Sequence, residues 1–261
     1  MDLQPCNPAT LNLKPETMEL KNKTALITGS AKRVGKTLAL ALAARGCNIV
    51  VHYGRSAEAA RQTVREIEAH GVSAWAFAAD LRDEAAVANI IPHALKLAGR
   101  LDILINSASI FPAEDFLSAD PQTWDAAMMV NLKTPFLLSQ AFVRALPDGA
   151  PGKIINLLDV IALRPQNHHF SYTISKTALA GLTQAMAVAV AARNVQVNGI
   201  ALGAILPNVN DDPALFKRLA EKIPARHTGT PADVVQAMDY LLAADFVTGE
   251  IIRVDGGRHL V

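Results

Sequence analysis

Three side chains in one stretch of the chain could move a proton: Asp159, Tyr172 and Lys176. Tyr172 and Lys176 form a Tyr-x-x-x-Lys pair, which stacks both on one face of a helix, one turn apart. An ammonium held beside a phenol favours the phenolate, so the Tyr172 pKa is expected to fall toward neutrality. That would make Tyr172 a proton donor at working pH. Such a pair also occurs on ordinary helix surfaces. Its weight depends on what the rest of the chain places beside it.

A nucleotide site is the first such element. Thr28-Gly29-Ser30-Ala31-Lys32-Arg33-Val34-Gly35 lies between a short apolar run, Thr24–Thr28, and a helix-like segment, Val34–Arg45. Strand, glycine turn and helix in this order are the context of a dinucleotide-binding turn. Gly29 permits the tight turn, and Gly35 lets the helix pack close to the strand. Backbone N–H groups at the helix start, including that of Val34, can hold a pyrophosphate. After the second strand, Cys47–His52, an NAD site would want an acid for the ribose hydroxyl. This chain has Tyr53-Gly54-Arg55-Ser56 instead, with no acid before Glu58. Arg55, Ser56 and Arg33 offer donors to a 2′-phosphate, and arginine matches phosphate bidentately. NADPH is therefore the expected cofactor.

Strand-like and helix-like segments alternate along the chain. Further strands are expected at 73–78, 101–105, 153–158, 195–200 and 251–254. Helices are expected at 57–70, 85–98, 121–146, 171–193 and 231–243. Asp120 can cap the third of these, with Pro121 at the favoured first position and a bend near Pro135. Short, continuous apolar strands between helices imply a parallel sheet covered on both faces. The expected fold is one α/β Rossmann domain over 21–261, with a doubly wound, seven-stranded parallel sheet. Residues 1–20 carry Pro5, Pro8 and Pro15 and read as a flexible arm. From Thr177 to Ala192 the long helix is apolar nearly all round, so it must be covered all round. A second copy of the chain is the expected cover, giving a homotetramer. Burial within one subunit is the alternative.

Charge and composition narrow the function classes. The 261 residues carry a formal net charge of +1, and 19% are charged. Neither nucleic acid nor an anionic membrane is an expected partner. Cys6 and Cys47 form no disulfide framework, no apolar stretch reads as a bilayer span, and no apolar run near the start suggests a signal peptide. A cytoplasmic location is expected.

From Lys21 to Val261 the chain resembles the short-chain dehydrogenase/reductase family. The matching residues are the Thr28–Gly35 turn, Asp80-Leu81, Asn106-Ser107-Ala108-Ser109, Asn131, Tyr172/Lys176 and Val254-Asp255-Gly256-Gly257. The resemblance implies that Asp80 and Leu81 bind the adenine. Asn106 and Ala108 would lie along the cofactor, as would Gly203. Asn131 would steady the lysine through a water, and Lys176 would also hold the nicotinamide ribose.

The chain departs from the general family pattern at several positions. Most members have glycine at Arg33, asparagine at Ser107, glycine at Ser109, serine at Asp159 and proline at Leu202. A serine there would polarise a carbonyl, whereas an ionised Asp159 only accepts hydrogen bonds. These departures resemble the pteridine reductase branch, as do the His52–Ser56 segment and an aromatic, Phe111, closely after the asparagine turn. The closing Phe246–Leu260 region resembles the bacterial reductases of that branch. The resemblance implies that Phe111 stacks on the pterin and that Ser109, Arg33 and Leu206 help shape its pocket. Asp159 and Tyr172 would face the ring edge that gains a proton. Reduction of dihydrobiopterin, dihydromonapterin or dihydrofolate is the leading expectation, with oxidised pterins as further substrates. A reductase of carrier-bound 3-ketones is the alternative enzyme, and a silent NADPH-binding regulator the alternative of another class. His168 and His169 read as loop residues at the pocket mouth. His227 and His259 lack sequence partners, Trp75 and Trp124 read as packing residues, and no metal site is expected. Leu206 through Asp212 follow the sixth strand, where this fold places its substrate flap, and 204–225 reads as a loop.

Overall fold

A computed structural model describes residues 18–165, 167–207 and 213–261. The expected arm therefore lies almost wholly outside the described residues, as does the flap tip at 208–212.

Seven parallel strands form one sheet: β1 (Thr24–Ile27), β2 (Asn48–Tyr53), β3 (Ala74–Ala78), β4 (Ile103–Asn106), β5 (Gly152–Asp159), β6 (Val195–Leu202) and β7 (Ile251–Val254), in the order β3-β2-β1-β4-β5-β6-β7. The helices are α1 (Arg33–Ala43), α2 (Ala57–Glu68), α3 (Glu84–Ala88), α4 (Ile90–Ala98), α5 (Pro121–Met128), α6 (Thr134–Ala145), α7 (Phe170–Val190), α8 (Pro213–Lys222) and α9 (Pro231–Ala243). Alternate strand residues face opposite layers. Ala25, Ile27, Ile49, Val51, Ile103 and Ile105 pack in one core with α1, α2 and α9. Leu26, Val50, Leu104 and Ile154 pack in another with α4, α6 and α7. This is the doubly wound Rossmann architecture. The chain reverses its strand order between β1 and β4, which opens a crevice at their carboxyl ends.

Four local features differ from the sequence expectation. The helix expected at 85–98 breaks at Asn89, whose amide donates to the Ala85 carbonyl at 2.8 Å. Pro92 has no N–H for the Ala88 carbonyl, so the helix restarts there. The helix from Pro121 begins as expected, with Asp120 accepting from Thr123 N–H at 2.8 Å. It is interrupted by a π-helical turn, Met129–Lys133, that delivers Asn131 to the interior and absorbs the missing donor of Pro135. The region 204–225, read only as a loop, contains α8.

The fourth difference concerns α7. With the turn that follows it, the segment Phe170–Arg193 is long and apolar enough by length and composition to cross a membrane, against expectation. Its buried residues include Lys176, Ser171 and Ser175, and it packs on β5 and β6. A lysine within such a span would be costly in a bilayer interior. Its outward stripe, Gly181, Gln184, Ala185, Val188 and Ala189, is exposed.

Candidate active site

Two of the cavities among the described residues lie where the strands β1, β2, β4, β5 and β6 end. The narrower one is lined by Gly29, Gly54, Arg55, Asp80, Leu81 and Ala108, among others. Its floor is the glycine turn. Gly29 has φ +67°, and a Cβ there would lie 3.0 Å from Ala108 Cα. A Cβ on Gly35 would meet the Gly29 carbonyl at 2.8 Å. Both positions need glycine, so the expected close packing is present. Thr28 Oγ1 accepts from the N–H groups of Ser107 and Ala108 at 2.9 and 3.0 Å, locking the turn after β4 onto the turn after β1.

His52 holds the other side of this floor. Its Nδ1 accepts from Gly29 N–H at 3.2 Å, so Nε2 carries the proton and donates to the Ala79 carbonyl at 3.1 Å. Burial pushes its pKa down to about 4, and the ring stays neutral. Arg55 is exposed at the end of β2 and makes no ion pair among the described residues. Ser56 sits at the N-cap of α2. Asp80 is bound by Arg82 at 2.6 Å, which holds its carboxyl near a pKa of about 2. Tyr53 and Val34 pack half-buried against the core, and the Asn106 side chain turns inward to Asn156 at 2.8 Å. Asn106 thus supports the cavity wall from behind. A glycine cradle, an unpaired guanidinium at the ribose end and an adenine-sized slot fit a 2′-phosphorylated dinucleotide.

The larger cavity, about 450 Å³, is lined by Arg33, Ser109, Phe111, Asp159, Tyr172 and Leu206 among others. Every residue expected to touch substrate is therefore in one pocket. Gly203 also lines it, and a Cβ there would lie 2.7 Å from Asp255 Cα. Arg33 adopts φ +56° and donates to the Pro207 carbonyl at 2.8 Å, tying the glycine turn to the segment after β6.

At its centre the Tyr172 hydroxyl donates to Asp159 Oδ2 at 3.0 Å. Asp159 Oδ1 accepts from Ile161 N–H at 3.0 Å. Lys176 Nζ lies 5.7 Å from the Tyr172 ring centre and donates to the Leu157 carbonyl at 2.7 Å. The expected fall of the tyrosine pKa does not occur. Burial, then the adjacent Asp159 carboxyl, holds it well above its ordinary value. Burial raises Asp159 as well, against its two hydrogen bonds and the charges of Lys176 and Arg258. Burial lowers Lys176 to about 8. The set therefore holds a neutral phenol against a carboxyl that takes protons more readily than usual.

Asn131 is fully buried and makes four side-chain hydrogen bonds. It accepts from Ser109 Oγ and Ile110 N–H and donates to the Ile110 carbonyl and Ser175 Oγ. Its direct partners are the substrate-side turn and α7, rather than Lys176. It fixes Ser109 and Phe111 relative to Tyr172. Phe111 meets Tyr172 edge-on, with ring centres 4.5 Å apart.

Several residues of the site escape sequence reasoning. His169 is more than a loop residue at the mouth: it stacks on Phe111 at 3.7 Å, and its Nδ1 lies 2.6 Å from the Pro112 carbonyl. Glu114 accepts from the N–H of Ser171 through its carboxylate and from that of Phe170 through its carbonyl. It thereby caps the helix that carries Tyr172, at the end where a negative charge is favoured. His259 does have a partner, Asp255 at 2.8 Å, four residues before it. Arg164, Arg258 and His259 line the larger cavity. Only the His169 and His259 positions carry a signal, a histidine near a motif, and neither has a spacing that identifies its contact.

Residues 23–214 match the family model for short chain dehydrogenase. The chain is 34% identical to 2-dehydro-3-deoxy-D-gluconate 5-dehydrogenase from Dickeya dadantii over 92% of its own length and 97% of that protein's. It is 31% identical to a 3-oxoacyl-[acyl-carrier-protein] reductase from Staphylococcus aureus, over 91% and 98% respectively. Among solved structures it is similar to the FolM alternative dihydrofolate reductase 1 from Brucella canis complexed with NADP. That match has a TM-score of 0.89 and 32% identity, covering 93% of this chain and 96% of the other. With the fold, the glycine cradle and the Tyr172/Lys176 pair in place, the chain belongs to the short-chain dehydrogenase family.

Proposed function

We propose that this protein is an NADPH-dependent pteridine reductase that converts 7,8-dihydropterins to tetrahydropterins. One observation carries the reading: Asp159, not a hydroxyl residue, faces Tyr172 at 3.0 Å in a pocket walled by Phe111. A carboxyl with a raised pKa suits an amidine-like ring edge that must gain a proton. In its ionised form it cannot donate a hydrogen bond to a lone carbonyl, as a serine would. The likeness to an alternative dihydrofolate reductase supports the reading, and its NADP complex supports the cofactor.

The bound reduced nicotinamide would supply hydride to C6 of a dihydropterin, or to C7 of an oxidised one. For a dihydropterin, the C6=N5 bond becomes a single bond and N5 takes one proton. Tyr172 and Asp159, or a water they orient, supply that proton, and Lys176 keeps a positive charge beside them. Phe111 offers the pterin the face that His169 does not cover, and Asn131 holds Phe111 in register with Tyr172. Arg33 and Arg55 would secure the phosphate end of the cofactor.

The curated relatives favour a second reading, reduction of a ketone on a sugar acid or a carrier-bound acyl chain. The exposed stripe on α7 supports a homotetramer in either case, and we place the enzyme in the cytoplasm. The deciding assay follows oxidation of the reduced cofactor with dihydrobiopterin, dihydromonapterin, dihydrofolate, a 3-ketoacyl thioester and the sugar acid in parallel. Turnover of a dihydropterin with the thioester and sugar acid inert supports the reading. The reverse pattern sinks it.

A further inference from the structure

The larger cavity has an uneven charge. Arg33, Arg164 and Arg258 line it, and Asp159 is the only acid among its described lining residues. None of the three arginines forms an ion pair among the described residues. Arg33 is committed to the glycine turn and Pro207. Arg164 and Arg258 have no such assignment.

These two belong together. Arg164 follows the short turn after Asp159, Val160–Ala162, and its Nη1 donates to the Arg258 carbonyl at 3.3 Å. Arg258 opens the turn Arg258–Leu260. Asp255 fixes that turn by accepting from Gly257 N–H at 3.0 Å and from His259 N–H at 2.8 Å. One guanidinium is thus tethered to the turn that carries the other. Among the described residues only Arg164 Nη1 of the two guanidinium groups is engaged, and a planar guanidinium matches a carboxylate bidentately.

We propose that Arg164 and Arg258 form an anion-recognition edge of the pocket and select substrates that carry a carboxylate tail. This rests on the pteridine reading and narrows it. Dihydrofolate, whose glutamate tail is anionic, is favoured over dihydropterins with uncharged side chains.

The test compares kcat/KM for dihydrofolate and dihydrobiopterin at saturating NADPH. The wild type should prefer dihydrofolate. Arg164→Gln and Arg258→Gln should each reduce that preference about tenfold, the usual order for losing a charge-assisted hydrogen bond. Arg258→Lys should retain part of it. A preference unchanged in both glutamine variants overturns the proposal, as does no preference in the wild type. A second measurement is independent of pterin turnover: calorimetric titration of the NADP-loaded enzyme with N-(4-aminobenzoyl)-L-glutamate, the tail alone. Binding lost in the double variant supports the edge even if no pterin is reduced, which would sink only the pteridine reading. Equal binding by wild type and double variant sinks the edge while leaving pterin reduction intact.

Discussion

The hydroxyl of Tyr172, a buried residue, donates to Oδ2 of the half-buried Asp159 across 3.0 Å. Burial, and then this contact, reverse the simple expectation from a Tyr-x-x-x-Lys pair. A carboxyl beside a phenol opposes phenolate formation, and the more distant ammonium does not compensate. Proton delivery therefore depends on the pair and not on an acidic tyrosine. Asp159→Asn should lower kcat by about 10²–10⁴-fold, the usual range for a lost acid–base group. NADPH affinity, read by fluorescence titration, should stay within about threefold, because the carboxyl lies in the larger cavity. Unchanged turnover would remove Asp159 from the chemistry.

The pH profile should carry the signature of Lys176. Burial lowers its pKa to about 8, and the ammonium supports negative charge on Asp159. The three groups titrate as a coupled set, so the limb belongs to the set. As pH rises through about 8 the cation is lost, and kcat should fall toward tenfold per pH unit. The Lys176→Arg variant keeps its positive charge throughout this range, because a guanidinium does not deprotonate there. It should move the limb to higher pH even if its maximum is lower. A limb at the same pH in both proteins would assign it to another group.

Arg55 should set the cofactor preference. It is exposed at the end of β2, beside Gly54, where a Cβ would meet nothing within 4 Å. The guanidinium lines the narrower cavity, where it is open to a 2′-phosphate. Arg55→Ala should weaken NADPH binding by roughly 10–100-fold, as for one charge-assisted pair. NADH binding should hardly change. Equal losses for both cofactors in parallel titrations would mean that Arg55 shapes the cavity and does not read the phosphate.

Much of this architecture is legible in the sequence because its causes are local. Strands buried on both faces must be continuous apolar runs, as Thr24–Ile27 before the first helix and Asn48–Tyr53 between two helices are. Gly29 and Gly35 are required by backbone approach, and Tyr172 and Lys176 share a helix face by spacing alone. What is not legible depends on tertiary approach. Glu114 caps α7 from 57 residues away, and Arg164 meets Arg258 across 94. Neither residue has a distinctive neighbour. The Tyr172 pKa runs against its spacing for the same reason: burial, and then the Asp159 carboxyl, hold it up, and neither is revealed by the spacing to Lys176. The break at Asn89 is readable in principle, since Pro92 stands one turn beyond it.

His52 supplies the last prediction, and it concerns stability. Its ring is held neutral between Gly29 N–H and the Ala79 carbonyl, with a pKa of about 4 against an ordinary 6.5. Above pH 6.5 the ring is neutral whether the chain is folded or not, and the contribution is complete. Between pH 6.5 and 4 the unfolded chain takes up a proton that the folded chain refuses, so stability falls as pH falls. The loss approaches about 3 kcal/mol, from about 1.36 kcal/mol per pKa unit. Below pH 4 both states bind the proton and this contribution stops changing. The glycine turn should suffer first, because a protonated Nδ1 can no longer accept from Gly29. Denaturant titrations from about pH 7 to about pH 4 should show this slope in the wild type and a shallower one in His52→Gln. The variant should also bind NADPH more weakly at about pH 7, where its stability difference is read separately. Parallel slopes in the two proteins would assign the acid sensitivity to carboxylates elsewhere and leave His52 as a packing residue.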